Sequence, residues 1–311
     1  MTGVTAFIYH EDYLKYFFGP THPFKPIREK YTLDLLKELG VFDEKAKYYE
    51  PKPASEDDLM LVHTKKYVDF VKKMSERGSG YLDYGDTPAA KGIYEGSCSV
   101  VGGSLCAADL IMKGKVSHAF NPGGGLHHAK ESSAAGFCVF NDIAIALEKM
   151  KKEGKIERGM VVDCDLHQGN GTSFILSRKD YGFTFSIHQM DNYPAEKSSS
   201  SVDVGLWSGD GDEKYLSSLR DHFPRLYQEF KPDLVIYLAG ADPYEDDQLG
   251  NLNLTIEGLA ERDRIVIEEA RKLQLPVAVL FAGGYARKVE DTVSIHLNTI
   301  KVAQRVQRRY F

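Results

Sequence analysis

Three short segments of this chain are apolar at nearly every position: Met160–Val162, Leu234–Leu238 and Val277–Phe281. A strand whose side chains are buried on both faces has this pattern, and such strands are typical of parallel sheets covered by helices on each side. Three further runs are rich in β-branched and aromatic residues: Thr5–Tyr9, Val116–Phe120 and Phe183–Ile187. The sequence therefore predicts a largely parallel sheet that contains these runs.

Longer segments with helical periodicity lie between the predicted strands. We expect helices over 26–39, 65–77, 91–113, 139–153, 212–230, 256–273 and 287–308, with Pro224 interrupting the segment 212–230. Strands that alternate with helices indicate an α/β domain with helices on both faces of the sheet. The segment 189–211 contains a run of serines and several glycines, and it predicts a long irregular loop. We expect one domain over residues 1–311.

Composition excludes several classes of protein. With 39 Lys+Arg against 45 Asp+Glu, the formal net charge of −6 argues against a nucleic-acid or anionic-membrane partner. No apolar run approaches the roughly 20 residues of a membrane span, and Met1–Tyr9 lacks the pattern of a secretory signal. Four cysteines without C-x-x-C spacing, Cys98, Cys106, Cys138 and Cys164, predict reduced, buried thiols in a cytoplasmic protein. A metal site would therefore use His and carboxylate ligands.

Polar residues cluster where five of the predicted strands end. In parallel sheets, ligand sites form beyond the carboxyl ends of the strands. The segments at these ends are Asn121–His128, Asp163–Gly171, Ser186–His188, Ala239–Pro243 and Ala282–Tyr285. Because these strand ends meet at one side of the sheet, we expect their His, Asp and Tyr side chains to form one site.

Three of these residues suit a catalytic metal. Asp165 and His167 are two positions apart, so on an extended strand end both point to the same side, and Asp242 can complete a set of three ligands. Three protein ligands with a free position are typical of catalytic zinc, which lowers the pKa of a bound water to about 7 and polarises a carbonyl. The sequence therefore predicts metal-assisted hydrolysis of an amide or a similar carbonyl compound.

Other residues at the same strand ends suit proton transfer and oxyanion binding. His127 and His128 are the candidate proton-transfer groups, and a catalytic His needs an orienting partner, for which Asp163 and Asn170 are the candidates. The hydroxyl of Tyr285 is a candidate donor to a developing oxyanion.

In this combination and order, the motifs resemble the zinc-dependent histone deacetylase superfamily. The similarity runs from about Gly19 to Arg287 and includes Gly19–Arg28, Gly85–Pro88, Gly123–Lys130, Gly136–Cys138, Asn141–Asp142, Asp163–His167, Gly240–Asp242, Leu249–Gly250 and Gly283–Tyr285. The resemblance implies the arginase/deacetylase fold, a three-layer α/β/α domain around a mainly parallel eight-stranded sheet. It also implies an amidohydrolase that removes acetyl or longer acyl groups from lysine side chains of proteins or peptides.

The resemblance also implies cofactors and catalytic roles. It implies Zn²⁺, or Fe²⁺ in some members, bound by Asp165, His167 and Asp242. His128 would be the general base and acid, with His127 as its electrostatic partner oriented by Asp163, and Tyr285 would bind the carbonyl oxygen of the scissile amide. A structural K⁺ or Na⁺ is implied near Asp163, Asp165, His167, Ser186 and Ile187.

Further residues are implied to contact the substrate or the product. Phe137, next to Gly136, would flank a narrow tunnel for the acyl-lysine together with Tyr193, and Asp86 would hold the substrate backbone. Arg28 would line an inner channel for the released acid.

Two positions depart from the best-known branch of the superfamily. Gln168 stands where that branch has a second His, and Asn170 stands where it has an Asp. The string His167–Gly171 is similar to the class IV branch and its bacterial relatives. A neutral Asn170 should leave His128 less basic than a carboxylate would. The class IV likeness leaves the acyl length open between acetyl and long fatty chains.

Three alternatives share parts of this pattern. A bimetallic ureohydrolase is disfavoured, because Gly169 and Gly240 stand where it would need carboxylates. An acetylpolyamine hydrolase, or another enzyme acting on small N-acyl amines, would use the same catalytic set, and the acidic run Glu245–Asp247 would suit its cationic substrate. A non-catalytic acyl-lysine-binding scaffold is disfavoured because every catalytic position is filled.

Overall fold

The computed structural model describes residues 3–310, in which eight strands form one sheet. Met1, Thr2 and Phe311, at the ends of the predicted 1–311 domain, lie outside the described residues. The strands are β1 (Thr5–Ile8), β2 (Ala46–Tyr49), β3 (His118–Asn121), β4 (Gly159–Asp163), β5 (Gly182–Gln189), β6 (Val202–Leu206), β7 (Leu234–Leu238) and β8 (Val277–Leu280). Their order is β2-β1-β3-β8-β7-β4-β5-β6, and every neighbouring pair is parallel. The predicted parallel, eight-stranded sheet is confirmed.

Helices cover both faces of the sheet and complete the three layers. They are α1 (Ile27–Glu38), α2 (Glu56–Leu59), α3 (Lys65–Arg77), α4 (Ile93–Met112), α5 (Asp142–Lys152), α6 (Asn170–Leu176), α7 (Asp212–His222), α8 (Arg225–Phe230), α9 (Ile256–Lys272) and α10 (Val289–Arg309). A short 3₁₀ helix spans Glu11–Lys15. Pro224 separates α7 from α8, as predicted from its missing backbone N–H.

Alternate residues of the central strands point to opposite faces, which explains why these strands are apolar throughout. Val161 and Ile236 belong to a buried cluster with side chains from α4, α5 and α6. Val162 and Val279 belong to a second cluster with side chains from α1, α9 and α10. Burial stabilises the fold by about 25 cal/mol for each Å² of apolar surface removed from water, so both faces of these strands favour apolar residues.

The segment 189–211 is not irregular throughout, and this part of the prediction is wrong. β5 extends to Gln189, and Val202–Leu206 forms β6 at the edge of the sheet. Intermediate and exposed residues alternate along the first four positions of β6, because successive side chains point to opposite faces and only Val202, Val204 and Leu206 pack against the core. The irregular parts are therefore 190–201 and 207–211, on either side of β6.

The four cysteines differ in burial. Cys98, Cys138 and Cys164 are buried free thiols, whereas Cys106 is only partly buried, which corrects the expectation of four buried thiols. Between residues 3 and 310, no helix is both long enough and apolar enough to cross a membrane.

Candidate active site

The segments that follow β3, β4, β7 and β8 meet around a cavity of about 210 Å³. His127 and His128 come from the segment after β3, and Asp165 and His167 come from the segment after β4. Tyr285 follows β8, and all five of these residues line the cavity. The parallel sheet therefore brings side chains that are distant in sequence to the carboxyl ends of its strands, as expected.

Asp165, His167 and Asp242 lie close enough together to bind one metal ion. All three are buried, and the ligand atoms they offer lie within 4.8 Å of one another. Nδ1 of His167 is 3.2 Å from Asp165 Oδ1 and 3.2 Å from Asp242 Oδ2. Burial opposes a charge on His167, but the two carboxylates outweigh it and raise its pKa to about 10. The carboxylates therefore favour a positive charge at this position.

The backbone around these ligands orients the carboxylates and leaves space between them. Gly283 N donates to Asp165 Oδ2 at 2.7 Å, and Leu166 N donates to Asp242 Oδ1 at 2.9 Å. A Cβ atom on Gly283 would lie 2.1 Å from Asp242 Oδ2 and 2.6 Å from Asp165 Oδ2, so a side chain there would fill this space. Two oxygen donors, one nitrogen donor and a free space fit a divalent ion such as Zn²⁺.

His127 and His128 form a hydrogen-bonded pair beside the three ligands. His127 Nδ1 lies 2.8 Å from Asp163 Oδ2, and the Nε2 atoms of the two rings are 3.0 Å apart. His128 Nδ1 lies 2.8 Å from Asn170 Oδ1. Because that amide oxygen only accepts, the proton is on His128 Nδ1 and the lone pair is on Nε2.

The surroundings of the two rings separate their pKa values. Burial opposes charge on His127, but the carboxylates of Asp163 and Asp165 outweigh it and raise its pKa to about 9. Burial and the neighbouring His127 charge lower the pKa of His128 well below its ordinary value. The pair is therefore an imidazolium that donates from its Nε2 to a neutral imidazole.

Tyr285 lines the same cavity as the two histidines and is fixed through its backbone and its ring. Tyr285 N donates to Asp247 Oδ2 at 2.6 Å, and the ring packs against Phe137 with centroids 5.7 Å apart. Burial raises the pKa of the Tyr285 hydroxyl well above its usual value of 10, so the hydroxyl keeps its proton and is a donor. The guanidinium of Arg28 lies 5.8 Å from the centroid of the Tyr285 ring.

Aromatic side chains form the walls of the cavity. The ring of Tyr193 meets the His128 ring edge-on at 4.8 Å between centroids, and Phe137 also lines the cavity. Gly136 has a positive φ of 53°, and a Cβ there would lie 2.4 Å from the His128 ring, so the wall requires glycine at this position. Gly136 N donates to Asp86 Oδ1 at 3.1 Å. The structure thus brings all four predicted substrate-contacting residues to the cavity.

Asp86 and Arg28 have neighbours that restrict what they can do. Burial and the nearby Asp83 raise the pKa of the Asp86 carboxyl to about 6. Arg28 is buried, and its guanidinium donates to Ala282 O at 2.6 Å and to Gly284 O at 2.7 Å. These two bonds tie the predicted channel residue to the segment that precedes Tyr285.

The residues implied for a monovalent cation lie at the ends of two paired strands. Asp163 is opposite Ser186 in the register of β4 and β5, and Ile187 is the next residue of β5. Asp165 and His167 follow Asp163 and also belong to the divalent set. The structure therefore places Asp163, Ser186 and Ile187 next to one another in the sheet, with Asp165 and His167 just beyond the end of β4.

Several supporting residues are not predicted as such by the sequence. Asp142, at the start of α5, accepts from Gly125 N at 3.0 Å and from Leu126 N at 2.7 Å, directly before the two histidines. Asp247 is buried and accepts from Tyr285 N, so this member of the acidic run Glu245–Asp247 has a structural partner. None of the three acidic residues lines the cavity. In the sequence, Asp142 was marked only by its place in the family-like motif Asn141–Asp142, and Asp247 only by its place in the acidic run.

A family profile, two relatives and one solved structure are similar to this chain. A family profile described as the histone deacetylase domain matches residues 22–300. A probable deacetylase of Archaeoglobus fulgidus is 34% identical and the alignment covers 91% of this chain and 82% of that protein. The acetoin utilization protein AcuC of Bacillus subtilis is also 34% identical, over 90% of this chain and 75% of the relative. The crystal structure of the HDA15 HD domain is similar with a TM-score of 0.85 at 26% identity, over 96% of this chain and 90% of that one.

Proposed function

Since this chain belongs to the histone deacetylase family and is a hydrolase of the deacetylase type, we propose that it removes acetyl or longer acyl groups from lysine side chains of proteins or peptides in a zinc-dependent reaction. One observation carries the proposal. The buried Asp165, His167 and Asp242 lie in the same cavity region as the His127–His128 pair and the protonated hydroxyl of Tyr285. These groups together supply what hydrolysis of an unactivated amide requires.

Asp165, His167 and Asp242 would hold the divalent ion, with Zn²⁺ or Fe²⁺ as the candidates. When bound, such an ion supplies a Lewis acid that activates water and polarises an acyl carbonyl. The hydrogen bonds from Leu166 N and Gly283 N hold the two carboxylates in place and would orient them for this role. We also assign a K⁺ or Na⁺ ion to Asp163, Asp165, His167, Ser186 and Ile187, where it would brace the ends of β4 and β5.

His128 is the proposed general base and acid. In the resting site its Nε2 lone pair accepts a hydrogen bond from His127 Nε2. With substrate bound, the same lone pair takes a proton from the attacking water and returns it to the leaving lysine amine. Asn170 holds the ring in the required tautomer, and His127, paired with Asp163, stabilises negative charge that develops on the substrate.

The remaining residues would position the acyl-lysine and release the acid. Tyr285 donates its hydroxyl proton in a hydrogen bond to the oxygen of the scissile carbonyl. Phe137 and Tyr193 flank the lysine side chain, next to the small Gly136, while Asp86 accepts from a backbone N–H of the substrate. Arg28, which also lines the cavity, would attract the released carboxylate.

An acyl-length panel tests the proposed substrate class. Peptides carrying Nε-acyl-lysine, from acetyl to myristoyl, are compared with N-acetylputrescine on protein of measured metal content. We expect hydrolysis of at least one acyl-lysine peptide, with a larger kcat/KM than for N-acetylputrescine. A preference for N-acetylputrescine would replace the lysine substrate with a small N-acyl amine. Metal-loaded protein that binds the peptides and hydrolyses nothing would instead indicate a binding scaffold.

A further inference from the structure

Gln168 directly follows the proposed metal ligand His167, yet its side chain has no partner among the proposed catalytic residues. It is 1% exposed, so its amide must find hydrogen bonds inside the protein. Nε2 donates to Ser198 O at 2.6 Å and to Asp203 Oδ1 at 2.8 Å, and Oε1 accepts from Ser198 N at 2.8 Å. The Gln168 amide therefore hydrogen-bonds to both the N–H and the C=O of Ser198, in the segment 190–201.

Glutamine satisfies all of these hydrogen bonds. A glutamine amide offers one acceptor and two donors, and all three are used here. A glutamate of the same size would place its negative charge against Ser198 O and the Asp203 carboxylate. An alanine would leave the N–H and C=O groups of the partly buried Ser198 without these partners.

Polar contacts continue from Ser198 to the wall of the cavity. The next residue towards the wall, Lys197, donates from Nζ to Asn192 O at 2.7 Å and to Pro194 O at 2.6 Å. These two carbonyls flank Tyr193, whose ring packs edge-on against His128. Asn192 Nδ2 also donates to Leu249 O at 2.9 Å, which ties the segment to another residue that lines the cavity.

We propose that Gln168 is a positioning residue that fixes the segment 192–198, holds Tyr193 against His128, and so sets how strictly the cavity discriminates between acyl groups. The consequence for specificity rests on the proposed function, whereas the positioning itself does not. His128 keeps its own partners, His127 and Asn170, so loss of the Gln168 hydrogen bonds affects substrate binding more than proton transfer.

The test compares Gln168→Ala with wild type in two measurements. For an acetyl-lysine peptide we expect KM to rise by roughly tenfold while kcat changes less than about threefold, which is the scale expected for the loss of one or two hydrogen bonds. The ratio of kcat/KM between the best and the poorest acyl length in wild type should fall. Independently of turnover, hydrogen exchange of the Ser198 amide, which donates to Gln168, should accelerate by about tenfold or more.

Matched variants separate positioning from a general loss of structure. Gln228→Ala makes the same change on the exposed side of α8 and should leave every parameter unchanged. Gln168→Glu should raise KM at least as much as Gln168→Ala, and adding Asp203→Asn should restore part of the loss by supplying a new donor to the carboxylate. If Gln168→Ala does not fold, Lys197→Met breaks the same chain of contacts nearer to Tyr193 and should give the same KM shift.

The outcomes distinguish the two proposals. If wild type hydrolyses no acyl-lysine peptide but the Ser198 amide still exchanges faster in Gln168→Ala, the proposed function fails and the positioning stands. If KM, acyl preference and exchange all equal the wild-type values in a folded Gln168→Ala, the positioning role is wrong. A fall in kcat alone, equal for all acyl lengths, would also overturn it.

Discussion

Replacing Asn170 with Asp tests directly how the residue next to His128 sets the pKa of that histidine. Asn170 Oδ1 lies 2.8 Å from His128 Nδ1, and both side chains are buried. The substitution changes an amide to a carboxylate of nearly the same shape, so it alters the charge next to His128 while preserving the hydrogen bond.

The size of the effect follows from Coulomb's law. Two charges about 4 Å apart attract by about 4 kcal/mol at an effective dielectric constant of about 20, which corresponds to about 3 pKa units for His128 at 1.36 kcal/mol per unit. Burial of the new carboxylate opposes this, so we expect the pKa of His128 to rise by roughly one to three units. His128 acts as a base only when neutral, so its higher pKa moves the acidic limb of the rate profile to higher pH.

The assay is the pH dependence of kcat for the best acyl-lysine peptide. Asn170→Asp should shift the acidic limb upward by about one unit or more, with a melting temperature close to that of wild type. Ser177→Asp adds the same charge at an exposed position just after α6 and should leave the limb in place. A folded Asn170→Asp protein with an unchanged acidic limb would refute the reasoning that Asn170 controls the basicity of His128.

Three further predictions concern the cavity and the core. Tyr285→Phe should lower kcat by about 10²- to 10³-fold with an unchanged melting temperature, because the oxyanion loses a donor; near-normal kcat would contradict this role. Burial and Asp83 raise the pKa of Asp86 to about 6, so the KM of wild type for the peptide should rise as pH falls through 6. In Asp86→Asn, KM should be high at every pH and should show no such rise. Burial raises the pKa of Glu29 from 4.5 to about 8, so the stability that its protonated form contributes is complete below pH 4.5 and is lost as pH rises through 8. Glu29→Gln should remove this loss. At high pH its free energy of unfolding, measured with urea, should exceed that of wild type by about 5 kcal/mol, with little difference at pH 4. If the free energies of the two proteins change with pH in the same way, the Glu29 carboxyl is not held protonated.

The central strands could be predicted because burial on both faces leaves a continuous apolar run. β4, β7 and β8 have neighbours on both sides and helices on both faces, so their sequences contain little else. The edge strands β2 and β6 were missed for the opposite reason. Each pairs with one strand only, and each keeps exposed residues that resemble a loop in sequence.

The site was predictable only where a residue's own chemistry identifies it. Asp165, His167 and Asp242 follow strands and are typical metal ligands, so their position and type were sufficient to predict that they meet in one buried cluster. Gln168 and Asp247 were different, because their contacts are with backbone atoms far away in sequence, such as Ser198 N and Tyr285 N. A sequence pattern does not show which backbone groups a fold will bring to a side chain.

Turnover measured as a function of bound metal tests the central claim most directly. The protein is stripped with a chelator and reloaded with Zn²⁺ or Fe²⁺, and hydrolysis of the best acyl-lysine peptide is followed against measured metal content. We expect negligible turnover without metal and a linear rise that ends at one divalent ion per chain. In Asp242→Ala, reloading should restore neither metal binding nor turnover. Full activity of the metal-free protein, or one bound ion without hydrolysis of any acyl amide, would contradict the central claim.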